Sequence, residues 1–158
     1  MGQSPQSAAG LFGNVYHNKR VLITGHTGFK GSWLALWLER MGARVVGIVR
    51  APVTEPSNYE LLGLRAKSFL TDIRNADSLA RILALARPEI VFHLAAQPLV
   101  RRSYRDPSET YATNVIGTLN VCEACRACDS VRAIVAITTD KVYENPDSGA
   151  AFKESDPL

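Results

Sequence analysis

The chain has 158 residues, 46% hydrophobic and 21% charged, with 18 basic and 15 acidic side chains that leave a net charge of +3. A domain of this size buries roughly 70% of its unfolded surface, so one core is within reach and wholesale disorder is excluded. Every apolar run stops short of the roughly 18 residues a membrane helix needs, and the scattered charges leave no basic block for nucleic acid or anionic lipid.

Residues 1–18 are polar and glycine-rich, without the basic start and apolar stretch of a signal peptide. They are expected to form a flexible arm, and the protein to be cytoplasmic. From residue 19 onward, short β-branched runs alternate with stretches of helical period, the pattern of βαβ units around a parallel sheet. Strands are predicted at Arg20–Thr24, Arg44–Val49, Ala66–Leu70, Ile90–Leu94 and Ala133–Thr138, most of them apolar throughout, as strands covered on both faces should be. Helices are predicted at Lys30–Met41, Ala76–Ala86 and Pro107–Ala127. Gly42 stands where a left-handed cap would end the first, and Asn75 or Asp77 can cap the second. The two longer connections, Ala51–Asn58 and Gln97–Asp106, follow strand C-terminal ends, where open α/β sheets bind ligands. The fold expected is therefore α/β, a Rossmann-like parallel sheet flanked by helices.

The first predicted strand runs into Gly25-x-x-Gly28-x-x-Gly31 and then into a helix. In that frame the glycines allow a tight turn, close approach of backbone N–H groups to a pyrophosphate, and close helix–sheet packing, while the helix start supplies partial positive charge. A dinucleotide is the ligand this points to. Where the second strand ends, an acid would normally hold the adenosine ribose, but Arg50 stands there. It could meet a 2′-phosphate, or be a solvated loop residue. Cys122, Cys125 and Cys128 are spaced by threes on a predicted helix, so the outer two thiols lie about 120° apart. With no fourth cysteine or nearby histidine they make no tetrahedral set, and no metal is expected.

The Gly-x-x-Gly-x-x-Gly spacing resembles the short-chain dehydrogenase/reductase superfamily, particularly its extended, sugar-nucleotide branch. Asp72-Ile73 stands where that superfamily meets the adenine. Leu94-Ala95-Ala96-Gln97 resembles its loop beside the cofactor, and Asn114 matches its helix asparagine. The resemblance implies NAD ahead of NADP, held by Gly25, Thr27, Gly28, Phe29, Lys30, Gly31, Arg50, Asp72, Ile73, Leu94, Ala95, Ala96, Gln97 and Asn114. Read without it, Asp72 could be a helix cap, Asn114 a satisfied buried amide and His93 a packed strand residue.

Three segments, residues 24–34, 95–104 and 138–145, resemble the CDP-glucose 4,6-dehydratases in particular, through His-Thr-Gly-Phe-Lys-Gly-Ser-Trp at residues 26–33 and the Asp140-Lys141 pair. In that family the cofactor oxidises C4 of the sugar, water leaves from C5 and C6, and the hydride returns to C6, so NAD is a held catalyst. By position, Thr139 would hydrogen-bond the C4 hydroxyl and Asp140 would protonate the leaving C6 hydroxyl. Lys141 replaces a glutamate that related dehydratases use as base, so it either sheds its own proton first or acts electrostatically. A polar strand end is the plain alternative for all three. Arg101 and Arg102 could meet a substrate pyrophosphate or line a solvated loop.

The superfamily's Tyr-x-x-x-Lys pair is missing: Tyr16, Tyr59, Tyr104, Tyr111 and Tyr143 are followed four residues on by Arg20, Gly63, Ser108, Val115 and Asp147. The expectation is thus an incomplete domain over residues 19–158, truncated after about the fifth strand and without the C-terminal substrate domain. It would be the cofactor half of a nucleotide-sugar lyase, inactive alone and homodimeric when whole. Another sugar-nucleotide epimerase or dehydratase, or a non-catalytic dinucleotide-binding module, are the alternatives.

Overall fold

A computed structural model describes residues 10–50, 56–64, 66–139, 141–144, 149 and 151–157. Five parallel strands form one sheet in the order β3-β2-β1-β4-β5. They are β1 (Arg20–Thr24), β2 (Arg44–Val49), β3 (Lys67–Leu70), β4 (Ile90–His93) and β5 (Ala133–Ala136). Between them run α1 (Phe29–Arg40), α2 (Asn58–Leu61), α3 (Ala76–Ala86), α4 (Val100–Arg105), and a long helical run made of α5 (Pro107–Tyr111), a π-helical segment (Ala112–Gly117) and α6 (Thr118–Arg126).

Alternation along β1 divides the core. Val21 and Ile23 face α1 with Ala35, Leu38 and Met41, while Leu22 faces α3 and α6 with Leu79, Leu83 and Val121. Full burial of such side chains is worth about 1.5–3 kcal/mol each. Asn75 caps α3, accepting the Ser78 N–H at 2.9 Å, and Gly42 closes α1 at φ +81°. The sheet matches the expected class, but its edges differ from the reading of strands covered on both faces. β3 is mostly exposed and all of β5 is exposed: the helices pack over β1, β2 and β4, and the rims extend past them.

Residues 10–18, expected to belong to the arm, are seated on the sheet. Phe12 meets Trp37 edge-on at 5.6 Å, Tyr16 packs beside Phe92, and the Asn18 N–H donates to Gly42 O at 2.8 Å. Aromatic side chains in a polar stretch supply the apolar area that anchors it. One short helix begins on the last residue of the first of the two longer connections, and another lies within the second. α2 starts at a Ser57/Glu60 capping box, an S-x-x-E signature too short to show a period. α4 follows Leu99. The single helix expected over residues 107–127 contains the π-segment, whose six residues are too few to show a wider turn in the sequence.

Candidate functional site

Because all strands run the same way, their C-terminal ends bring the candidate residues to one edge of the sheet. The strand order reverses between β1 and β4, the switch point where open α/β sheets bind ligands. There the turn after β1 and the exit of β4 touch: a Cβ on Gly25 (φ +76°) would lie 3.0 Å from the backbone N and Cα of Ala95. The Gly25 N–H donates to Ile48 O at 2.8 Å and the Gly28 N–H to Gly25 O at 3.1 Å. Gly31 faces this turn so closely that its Cβ would stand 2.2 Å from Gly25 O. The helix start is open. No side chain caps α1, its first turn holds no acid, and Gly28, Phe29 and Lys30 are exposed, with Thr27 half-buried. A lysine beside the positive end of a helix is unfavourable unless an anion joins them, so this cradle fits a pyrophosphate.

A hydrogen-bonded chain sets the β4 exit. The Thr24 hydroxyl donates to His93 Nδ1 (2.6 Å) and accepts the N–H groups of Leu94 and Ala95 (both 3.2 Å). His93 Nε2–H donates to Thr118 Oγ1 (2.9 Å), whose hydroxyl donates to Asn114 O (2.7 Å). Every donor is satisfied with a neutral ring, and burial pushes the His93 pKa down. His93 is a packed, bonded residue of this chain, as its plain reading had it.

Asn114, on the π-segment, takes the Gln97 N–H on Oδ1 at 2.7 Å and donates from Nδ2 to Gln97 O at 3.1 Å. Gln97 in turn donates to Thr110 Oγ1 and accepts the Leu99 N–H. The asparagine therefore holds the loop carrying Ala95, Ala96 and Gln97 by its backbone. Ile73 points into the core against Gly117, and Asn120 Nδ2 donates to its carbonyl.

At the ends of β2 and β3, Asp72 pairs with Arg74 (2.7 Å) and Arg50 (3.5 Å). Arg50 also reaches Glu109 on α5 (3.5 Å), which holds Arg102 at 2.7 Å. The Arg74 hydrogen bond, more than any other influence, holds the Asp72 carboxyl below the usual range. Arg102 is thus engaged by Glu109, and Arg50 lies between two carboxylates. Neither Glu109 nor the partners Asn58 and Ser68 around the glycine turn were singled out in the sequence, and Ser32 stood there only as part of a motif. They are ordinary polar residues whose roles come from distant neighbours.

Beyond β5, Thr139 is exposed and its Oγ1 accepts the Lys141 N–H at 3.1 Å. Asp140 lies outside the described residues. Tyr143 stacks on Phe152 at 5.0 Å, and the Glu144 N–H donates to Pro157 O. Cys125 is in the core, where burial pushes its thiol up to about 12. Among the described residues no helix is long and apolar enough to cross a membrane.

The profile of the NAD-dependent epimerase/dehydratase family matches residues 21–158. CDP-glucose 4,6-dehydratase of Salmonella typhimurium is 47% identical over 147 residues, which are 92% of this chain and 41% of that protein. The crystal structure of a Thermotoga maritima UDP-glucose 4-epimerase with UDP-glucose superposes with a TM-score of 0.68 at 32% identity, over 75% of this chain and 37% of that one. The Thermus thermophilus UDP-glucose 4-epimerase, in complex with NAD, gives 0.75 at 29% identity, over 87% and 43%. The chain spans about two-fifths of the length of these relatives.

Proposed function

The chain belongs to the NAD-dependent epimerase/dehydratase family, and from that membership and its site we propose that it is the cofactor-binding part of an enzyme that dehydrates CDP-glucose to the 4-keto-6-deoxy sugar nucleotide. The observation that carries the dinucleotide step is the cradle of Gly25, Gly28 and Gly31 against Ala95, open at an uncapped helix start. The sugar and reaction type rest on the 47% identity to the Salmonella dehydratase.

In this reading Gly25, Thr27, Gly28, Phe29, Lys30 and Gly31 hold the pyrophosphate, while Leu94, Ala95, Ala96 and Gln97, set by Thr24 and Asn114, wall the groove. Asp72, Ile73 and Arg50 meet the adenosine end. NAD is preferred to NADP because Arg50 already faces Asp72 and Glu109. A 2′-phosphate there would meet two carboxylates along with the guanidinium, whereas ribose hydroxyls bring no charge. The bound dinucleotide supplies the hydride acceptor and donor for C4 oxidation and C6 reduction. Thr139 hydrogen-bonds the C4 hydroxyl, Asp140 protonates the departing C6 hydroxyl, and Lys141 acts at C5. The outer face of α5–α6 exposes Tyr111, Val115 and Leu119 at steps of four, a surface suited to a second copy.

The test is titration of this chain with NAD and NADP, followed by mass spectrometry of CDP-glucose incubated with NAD and the whole enzyme that carries this chain. Tighter NAD binding and loss of one water from the sugar nucleotide are expected. Binding without turnover would favour a dinucleotide module, a configurational change without mass change would favour an epimerase, and tighter NADP would reverse the reading of Arg50.

A further inference from the structure

The phosphate turn contains a buried histidine that no step of the proposed reaction uses. His26 follows Gly25, so its backbone belongs to the turn, while its side chain leaves the turn and is fully buried against the far half of the sheet. Its Nε2 lies 2.7 Å from Ser68 Oγ on β3, and Nδ1 faces Ile48 O on β2 at 3.4 Å. Tyr59 of α2 meets the ring edge-on at 5.0 Å. The space exists because residue 47 is glycine: a Cβ there would stand 2.2 Å from Nδ1 and 2.3 Å from Cγ. One residue earlier, the same Asn58–Tyr59 helix reaches the start of α1, with Asn58 Nδ2 donating to Ser32 Oγ at 2.5 Å.

A ring placed only to fill volume would be apolar, since burying an imidazole costs free energy unless its nitrogens are bonded. This one crosses to a hydroxyl on another strand and lies over the one position of β2 that lacks a side chain. We propose that His26 is a positioning residue that pins the Gly25–Gly28 turn to β2 and β3, at the height where the turn's backbone N–H groups meet the pyrophosphate of the dinucleotide. The inference rests on the dinucleotide reading above. Burial lowers the ring's pKa, against a smaller opposing pull from the Ile48 carbonyl. The groups facing the ring from β2, β3 and α2 are that carbonyl, the Ser68 hydroxyl and the Tyr59 ring, none of them charged, so the pin works as a neutral imidazole.

The experiment is calorimetric titration of the intact protein with two probes, ADP, which carries the phosphates, and adenosine, which does not. His26→Phe keeps a ring without nitrogens, Gly47→Ala pushes the ring out from below, and His26→Gln returns a polar group near the place of Nε2. Ser68→Ala removes only the partner's hydroxyl on an exposed residue, so it leaves folding intact. For His26→Phe and Gly47→Ala, ADP affinity is expected to fall roughly tenfold, and for Ser68→Ala about threefold, the range of one net hydrogen bond. Adenosine affinity should hold, and His26→Gln should recover most of the loss. Equal weakening of ADP and adenosine would make His26 a general packing residue and overturn the proposal, as would unchanged ADP affinity in Ser68→Ala and His26→Phe. If the unaltered protein binds neither ADP nor NAD, the dinucleotide reading itself fails.

Discussion

Gly31→Ala adds one methyl where the start of α1 meets the backbone of the glycine turn. Its Cβ would lie 2.2 Å from Gly25 O, 2.8 Å from His26 Cα and 2.9 Å from the Gly25 carbonyl carbon. All three are backbone atoms, so none can swing aside as a side-chain tip would. Ordinary carbon contacts lie near 3.5 Å, so α1 and the turn must part by roughly 1 Å. Overpacking of this kind costs about 1–3 kcal/mol, offset by at most about 1 kcal/mol that alanine gains over glycine in a helix. A net loss of about 1–2 kcal/mol lowers Tm by roughly 2–8 °C in a domain of this size. The same displacement stretches hydrogen bonds from the turn to an anion, each worth about 1.5–3 kcal/mol, so NAD should bind about 10–100-fold more weakly. Gly28→Ala is the comparison, because its Cβ would sit 3.3 Å from Gly25 O and should disturb the nucleotide-free fold less. Differential scanning fluorimetry without nucleotide and calorimetry with NAD read both effects. A Gly31→Ala protein with unchanged Tm and NAD affinity, or one less perturbed in Tm than Gly28→Ala, would refute the packing argument.

Thr24→Val keeps shape but strips the acceptor from two N–H groups and the donor from His93. Urea denaturation should show a loss of about 1–3 kcal/mol, with Thr24→Ser much closer to the parent. Asn114→Ala frees the Gln97 backbone and should weaken NAD binding more than it lowers Tm, as calorimetry and a melt together would show. Arg74→Ala removes the group that most depresses the Asp72 pKa, so a carbon-detected NMR titration should find that carboxyl titrating higher. Since the folded pKa lies below the unfolded value of 3.8, the stability gap between parent and variant should be full above about pH 4 and close as pH falls through the folded pKa. A gap that widened on acidification would contradict the pairing.

The parallel sheet was legible because buried strands of β-branched residues and helices of 3.6 period leave different signatures. The bounds of β1, β2 and α3 agree with the residues named from sequence. The glycine turn after β1 was legible for another reason: Gly25, Gly28 and Gly31 stand where backbone approaches backbone, and glycine has few substitutes there. The short helices α2 and α4 were hidden because four to six residues cannot display a period. The π-segment was hidden because its six residues span little more than one turn. What sets the site lay beyond sequence reading altogether. His26 and Gly47 are 21 positions apart, and Thr24 and His93 are 69 apart. Nothing local in either member of a pair announces the other.

Those distant pairs also bear on how tightly the edge can grip a nucleotide. The turn after β1 is fastened on three sides: by Ala95 across the switch point, by His26 to β2 and β3, and by Asn58 through Ser32 at the start of α1. A loop ordered before its ligand arrives loses little conformational freedom on binding, and each backbone left mobile would otherwise cost about 1–2 kcal/mol to fix. The ends of β2 and β3, where the proposed reading seats adenosine, are fastened differently, by the charged arc Asp72–Arg50–Glu109–Arg102, whose side chains are partly exposed and therefore weakly held and screened by salt. Raising the salt from low to physiological strength should then weaken the ion pairs of the arc, whereas adenosine itself carries no charge to screen. Salt-dependent calorimetry with adenosine, a neutral probe, reads a change in affinity as acting through the arc, and in Arg50→Ala that response should shrink. If the response were the same with and without Arg50, the arc would have no part in shaping the adenosine end.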